Sequence, residues 1–174
     1  MRLLALAFSI CAVAQDLPPR LPASVLPDMH QTGPLVSFIA GVDGQMRRDT
    51  ITPPGPTPRD VIVSVMRDEL HCTDHDIQAI QEAGAVFERR ANAIRSSYGN
   101  YVFEARLEFA DKGEISKAFL QKMERMNSQL AELESRTERE LKTVVGEERF
   151  QAIDAWVRSP ESRRCRIAPC PVKR

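Results

Sequence analysis

The stretch from Asp76 to Glu108 constrains the fold more than any other part of this chain. Apolar or small residues recur along it at alternating steps of three and four, which is the a/d pattern of a heptad helix. Charged residues such as Glu82 and Arg95 lie off this seam. A helix of about 50 Å, at 1.5 Å per residue, is not stable in water without a partner for its seam. The seam positions are Ile77, Ile80, Gly84, Phe87, Ala91, Ile94, Tyr98, Tyr101 and Ala105.

A second heptad stretch supplies a partner. The cluster Asp-Lys-Gly-Glu at 111–114 is turn-like, and Gly113 is suited to the left-handed conformation of a helix end. Ser116 is an N-cap for a second long helix that runs to about Val145. Two long amphipathic helices joined by a short turn run antiparallel. The seam of the second helix comprises Phe119, Met123, Met126, Leu130, Leu133, Thr137, Leu141 and Val144.

Short helices flank this hairpin. One is predicted from about Arg59 to Leu70, after which Thr73 and Asp76 form a capping-box-like start for the long helix. Gly146 ends the hairpin, and a last helix follows over 147–158. Its apolar face holds Phe150, Ile153, Trp156 and Val157, with Trp156 as a core anchor. The predicted fold class is all-α: a long antiparallel helical hairpin with short flanking helices.

Proline sets the boundaries of the regions. Nine of the twelve prolines lie between Pro18 and Pro58, and none lies between 59 and 159. Residues 15–58 are therefore predicted to be Pro-rich and largely irregular, residues 59–158 to form the hairpin domain, and residues 159–174 to form a basic tail with cysteines. Within the Pro-rich segment, the apolar run from Leu35 to Val42 is expected to form one or two turns that dock on the body.

The first fourteen residues have the pattern of a signal peptide. Arg2 precedes an apolar run of about eleven residues, which is too short to span a bilayer. Ala12-Val13-Ala14 fits a cleavage site. The sequence therefore predicts a periplasmic or secreted protein, cleaved near Ala14. No later stretch is apolar for long enough to predict a transmembrane anchor.

Cleavage leaves three cysteines, Cys72, Cys165 and Cys170. In an oxidising compartment exposed thiols tend to pair, and an odd number leaves one over. The spacing permits a Cys165–Cys170 bridge or a bridge from Cys72 to either tail cysteine.

The sequence offers little for catalysis. Lysine and arginine together number 24, as do aspartate and glutamate, and this balance argues against a nucleic-acid binder. No nucleophile elbow, phosphate loop or dinucleotide fingerprint occurs, so no enzyme, catalytic residue or organic cofactor is predicted. His71, Cys72 and His75 carry donors suited to Zn or Cu, but the favoured interpretation of the same segment is an ordinary capped helix junction. The third histidine, His30, is expected in solvent.

The layout of signal peptide, short helix, long hairpin and closing helix resembles the Spy/CpxP-like family of periplasmic proteins. That family carries a Leu-Thr-x-x-Gln motif at the start of two helices. Here Cys-Thr-Asp-His-Asp at 72–76 and Val-Gly-Glu-Glu-Arg at 145–149 stand in those places, and only Thr73 matches the motif outright. The resemblance covers about residues 60–158.

The resemblance implies a non-enzymatic binding protein that acts as a homodimer, either as a chaperone for unfolded clients or as an envelope-stress adaptor. Apolar residues off the seam near the hairpin turn are the candidate client contacts. Two alternatives are a metal-binding sensor or resistance protein that uses His71, Cys72 and His75, and a structural coiled-coil module without a client. The candidate client contacts are Val102, Phe103, Leu107 and Phe109.

Overall fold

The chain folds into α-helices arranged around one long hairpin. The computed structural model describes residues 26–46, 58–160 and 162. These ranges contain no strand, which confirms the predicted all-α class, and none of their helices is long and apolar enough to cross a membrane. The predicted signal peptide, residues 47–57 and the tail from Arg163 onward, with both of its cysteines, lie outside the described residues. The helices are α1 (Pro34–Met46), α2 (Pro58–Ser64), α3 (Asp74–Lys112), α4 (Lys117–Val145) and α5 (Glu147–Arg158); a π-helical turn, Val65–Glu69, continues α2.

The hairpin of α3 and α4 is confirmed, and its ends lie where the sequence predicts them. Thr73 and Asp76 form a capping box at the start of α3. Gly113 ends α3 in the left-handed conformation, with φ of 74°. The N–H of Ser116, just before α4, donates to the Glu108 carboxylate at 3.2 Å. The turn is therefore held by backbone geometry and by one acidic side chain of α3.

The seam of the hairpin is buried along most of its length. On α3, every predicted seam residue is buried except Ile94 and Tyr101, which are half-buried. The Tyr101 ring packs edge-on against Phe119 of α4, with 5.9 Å between centroids. The prediction for Val144 is wrong: its side chain is 51% exposed, and Val145 is buried instead. The reason is that α5 folds back directly after α4, so the core at this end lies on the side of Val145.

Helix α1 is a major element that the sequence prediction described as largely irregular. The structure has 13 helical residues there, where one or two turns were expected. Leu35, Val36, Ile39 and Val42 are buried. The segment 34–46 is therefore a full part of the packed core, which corrects the prediction for that part of residues 15–58.

Helices α1 and α3 meet backbone to backbone at Gly84. A Cβ built on Gly84 would lie 2.3 Å from the carbonyl oxygen of Ile39, so only glycine fits without movement. The seam of α3 consequently has two partners, α4 and α1, whereas the sequence indicated only α4.

Residues 26–33, which we call the strap, lie across the hairpin before α1 begins. The Tyr98 hydroxyl donates to the carbonyl of Pro27, and the Asn127 amide donates to the carbonyl of Asp28 at 2.8 Å. These bonds join the strap to both long helices.

His30 fixes the strap to α4 and is half-buried, so the expectation that it lies in solvent is wrong. Its Nε2 lies 2.6 Å from Oε2 of Glu134. The other oxygen of Glu134 accepts the backbone N–H of Gly33 at 2.7 Å. One largely buried carboxylate thus anchors the end of the strap immediately before α1.

The main core lies at the base of the hairpin, away from the turn. Every helix around it except α2, together with the π-helical turn, contributes a fully buried side chain, and α5 closes the cluster. Trp156 is half-buried, with its ring 5.5 Å from that of Phe38 and its Nε1 donating to Glu69 at 3.0 Å. Fully buried members include Ile39 of α1, Met66 of the π-helical turn, Ile80 of α3, Leu141 of α4 and Ile153 of α5.

Candidate functional site

The junction between the π-helical turn and α3 carries the candidate metal ligands. His71 adopts a left-handed backbone conformation, with φ of 51°, and its side chain is exposed. The next residue, Cys72, donates its backbone N–H to Met66 at 2.8 Å and is buried. The chain therefore turns sharply here and directs two adjacent side chains to opposite environments.

The Cys72 thiol belongs to the core. Its Sγ lies 3.8 Å from the carbonyl oxygen of Leu70. Burial, assisted by the negative charge of Asp76 and opposed by Arg149, raises the pKa of the thiol to about 11. Since the thiolate is the form that attacks electrophiles and binds metals, Cys72 is protonated and unreactive at neutral pH.

The three predicted metal ligands do not converge. His71 and His75 are both exposed, while Cys72 faces the core. Among the residues that the structure describes, no group of three or more His, Cys, Asp or Glu side chains is placed to hold a metal ion. Cys72 is a free thiol. The proposed bridges of Cys165 and Cys170 lie outside the described ranges.

The structure instead joins the two motif-like segments through Asp76 and Arg149. These are the fifth residues of the segments 72–76 and 145–149, and they form an ion pair. The Asp76 carboxylate is 4% exposed and also accepts the Thr73 N–H and hydroxyl at 2.7 and 2.6 Å. Burial acts to raise the pKa of Asp76, but the Thr73 hydrogen bonds and the Arg149 guanidinium outweigh it and hold the pKa below its ordinary value.

This ion pair is a structural clamp between α3 and α5. The sequence marked both segments separately, and the only signal of their contact was the opposite charge of Asp76 and Arg149.

The candidate client contacts lie near the hairpin turn, on the last third of α3. Phe103 and Leu107 are 51% and 48% exposed. They are four residues apart, so they are neighbours on one face of the helix. Val102 and Phe109 are half-buried. We call these four residues the tip surface; of the four, only Phe103 and Leu107 are largely exposed to solvent.

A second exposed apolar site lies between α3 and α4 and was missed by the sequence prediction. It is an open groove of about 340 Å³, in which Val86 of α3 and Val144 of α4 are 41% and 51% exposed. Glu82 and Glu140 line it from the two helices. Val86 was overlooked because it lies off the seam, and Val144 because it was placed in the seam.

Comparison with known proteins supplies no family for this chain: no protein-family model, curated protein or solved structure matches it.

Proposed function

We propose that this chain is an exported, non-enzymatic binding protein that holds apolar segments of unfolded proteins in a chaperone-like manner. The apolar run before Ala14 supports export. The observation that carries the binding proposal is the side-by-side exposure of Phe103 and Leu107 on the tip surface. Large apolar side chains exposed together on a soluble domain often mark an interaction site.

The surroundings of this pair support reversible binding. Lys112 and Glu108 form an ion pair at 3.1 Å close to the turn, so charged groups border the apolar residues. Covering the exposed halves of one phenylalanine and one leucine contributes on the order of 2–3 kcal/mol. That amount suits a weak, releasable contact with many different apolar segments, as a chaperone requires.

The test is suppression of aggregation. A chemically unfolded client is diluted into buffer with an equimolar amount of this protein, and light scattering is followed. We expect the full chain to reduce scattering and the Phe103→Ser/Leu107→Ser variant to lose most of this effect. A loss of 2–3 kcal/mol corresponds to a client affinity roughly 30- to 150-fold weaker.

The matched control is Ser96→Ala/Asn100→Ala. These exposed polar residues lie two helical turns earlier on the same face of α3, at the same spacing as the tested pair. The control variant should protect the client as well as the unchanged chain does. Failure of the unchanged chain to protect any client, or full protection by the Phe103→Ser/Leu107→Ser variant, would contradict the proposal.

A further inference from the structure

The strap crosses the hairpin without adding a side chain to either core cluster. Residues 27–33 form neither helix nor turn, and no residue of the strap is buried. The side chains of Asp28, Met29 and Gln31 are exposed. Because the strap buries no apolar side chain, it is held chiefly by polar contacts, and segments of this kind open more readily than packed helices do.

The hairpin holds the strap by its main chain. Tyr98 of α3 donates its hydroxyl to the carbonyl of Pro27. Asn127 of α4 donates its side-chain amide to the carbonyl of Asp28 at 2.8 Å, and its Oδ1 accepts the backbone N–H of His30 at 3.0 Å. One side-chain amide thus binds a C=O and an N–H that lie two residues apart, as a neighbouring parallel strand does in a sheet.

Glu134 completes the set of groups that hold the strap. One of its oxygens accepts the backbone N–H of Gly33, and the other contacts the imidazole of His30. We call Tyr98, Asn127 and Glu134 the strap seat. Four of its five contacts are to backbone groups, which every residue carries apart from the missing N–H of proline. The seat therefore recognises the extended form of a chain more than its sequence.

Side-chain contacts add a chemical preference to this backbone recognition. The Glu134 side chain is only 13% exposed, and a largely buried carboxylate favours a donor or a positive charge opposite it. Arg95 of α3 also donates to the Thr32 hydroxyl at 3.0 Å. The seat consequently suits an extended segment with a histidine or another cationic residue two positions after the carbonyl that Asn127 binds.

We propose that the strap seat is a binding site for extended polypeptide segments, and that the strap occupies it as an internal substitute for such a segment. This site is separate from the tip surface and shares no residue with it. Main-chain hydrogen bonds supply the affinity, as they do when a peptide adds to the edge of a sheet. Because the strap is covalently attached, it competes at millimolar effective concentration, so an external segment binds well only after the strap is released.

The test releases the strap while it leaves the seat unchanged. In His30→Ala/Gly33→Ala the imidazole contact is lost. A Cβ at Gly33 would lie 2.5 Å from Oε1 of Glu134, so the strap and this carboxylate have to move apart. The probe is a fluorescently labelled peptide with the strap sequence, Leu-Pro-Asp-Met-His-Gln-Thr-Gly, and binding is followed by anisotropy with the full chain up to about 1 mM. We expect a dissociation constant on the order of 100 µM for the released variant and about tenfold weaker binding by the unchanged chain.

Two altered peptides separate backbone recognition from side-chain recognition. N-methylation at the position of His30 removes the N–H that Asn127 accepts, and it should weaken binding about five- to tenfold. Alanine in place of Met29 and Gln31 should leave the affinity unchanged, because both side chains are exposed in the strap.

Substitutions in the seat complete the test. Added to the released variant, Asn127→Ala removes two backbone contacts and should weaken peptide binding about tenfold or more. The matched control is Gln129→Ala, which removes an exposed side-chain amide from the same helix and should leave binding unchanged. Circular dichroism of each variant separates loss of binding from loss of fold.

The proposal is overturned if the released variant binds the peptide no better than the unchanged chain does, or if neither N-methylation nor Asn127→Ala weakens binding. It is also overturned if the released variant doubles in mass and takes up no peptide, because the seat then accepts only the strap of another copy. Phe103→Ser/Leu107→Ser, added to the released variant, should leave peptide binding unchanged. Failure of this proposal and failure of client binding at the tip surface are therefore distinguishable.

Discussion

Replacing Gly84 by alanine tests the packing of α1 against α3 most directly. The new Cβ would lie 2.3 Å from the carbonyl oxygen of Ile39 and 3.0 Å from its carbonyl carbon. Both atoms are backbone, so no side-chain rotation relieves the contact. The backbone of α1 has to retreat until the closest approach reaches about 3.4 Å. Neighbouring contacts of Val36 and Ala40 with Phe87 are then loosened, since these residues share one core cluster.

The expected magnitude follows from two opposing effects. Alanine in a helix interior is more favourable than glycine by about 1 kcal/mol. Forcing an extra carbon into a well-packed core costs about 1–3 kcal/mol, and contact with backbone belongs at or above the upper end. We therefore expect Gly84→Ala to lower the free energy of unfolding by about 2 kcal/mol, which is a fall in Tm of about 4–8 °C for a chain of this size.

Gly99→Ala is the matched control on the same helix. A Cβ at Gly99 meets nothing within 4 Å, so only the higher helix propensity of alanine acts. The Gly99→Ala variant should therefore be more stable than the wild type by about 0.5–1 kcal/mol. Equilibrium unfolding in guanidinium chloride, followed by circular dichroism, measures both changes. If Gly84→Ala is as stable as Gly99→Ala, the close approach of α1 to α3 is not present in solution.

Three further expectations concern single contacts. Folding lowers the pKa of Asp76, so the unfolded chain binds the proton more tightly than the folded chain does. The Asp76 carboxylate therefore stabilises the fold above the unfolded pKa of about 3.9. This stabilisation is lost as the pH falls through the pKa of the folded state. Asp76→Asn should therefore cost about 2 kcal/mol at neutral pH, and denaturation curves should show the deficit shrinking below about pH 4. Because Cys72 is a buried free thiol, a thiol reagent should label the same number of groups in the native wild type and in native Cys72→Ser. After unfolding, Cys72→Ser should show one labelled group fewer than the unfolded wild type. Reaction of Cys72 in the native protein would contradict its placement in the core. Glu134→Ala should speed hydrogen exchange at the Gly33 amide while the Asp76 amide, bound within the capping box, exchanges as before.

The hairpin was predictable because its signals are local. Three- and four-residue spacing fixes which face is buried, and Thr73, Gly113 and Gly146 mark the ends through side-chain capping or glycine conformation. These signals need no knowledge of the rest of the fold. The helix boundaries from Thr73 to Arg158 consequently agree with the sequence prediction.

Helix α1 was underestimated because its stability is not local. It contains Gly41 and Gly44, which weaken intrinsic helicity, and prolines flank it. Its apolar residues are distributed too broadly for one clear stripe, since the helix contacts α2, α3, α4 and α5. Burial against four partners compensates for the low helix propensity, and no short window of sequence contains those partners.

The candidate sites likewise divide into features with a local sequence signal and features without one. The exposure of Phe103 and Leu107 follows from their place off the seam near the turn, and it was foreseen. The contact of Asp76 with Arg149 spans 73 positions and depends on how α5 folds back. The predicted ligands His71, Cys72 and His75 do not converge, because the sequence gives the type of donor but not the direction of a side chain at an irregular junction.

The close approach at Gly84 also bears on the order in which the molecule folds. A 13-residue helix with two glycines is marginal alone, and α1 gains its burial from the neighbouring helices, chiefly α3. The hairpin, built from residues joined by a short turn, closes with little loss of chain entropy. We therefore expect α1, although synthesised before the hairpin, to acquire its native structure after it. Pulse-labelling hydrogen exchange should show amides of α3 protected before those of α1, and simultaneous protection would contradict this order.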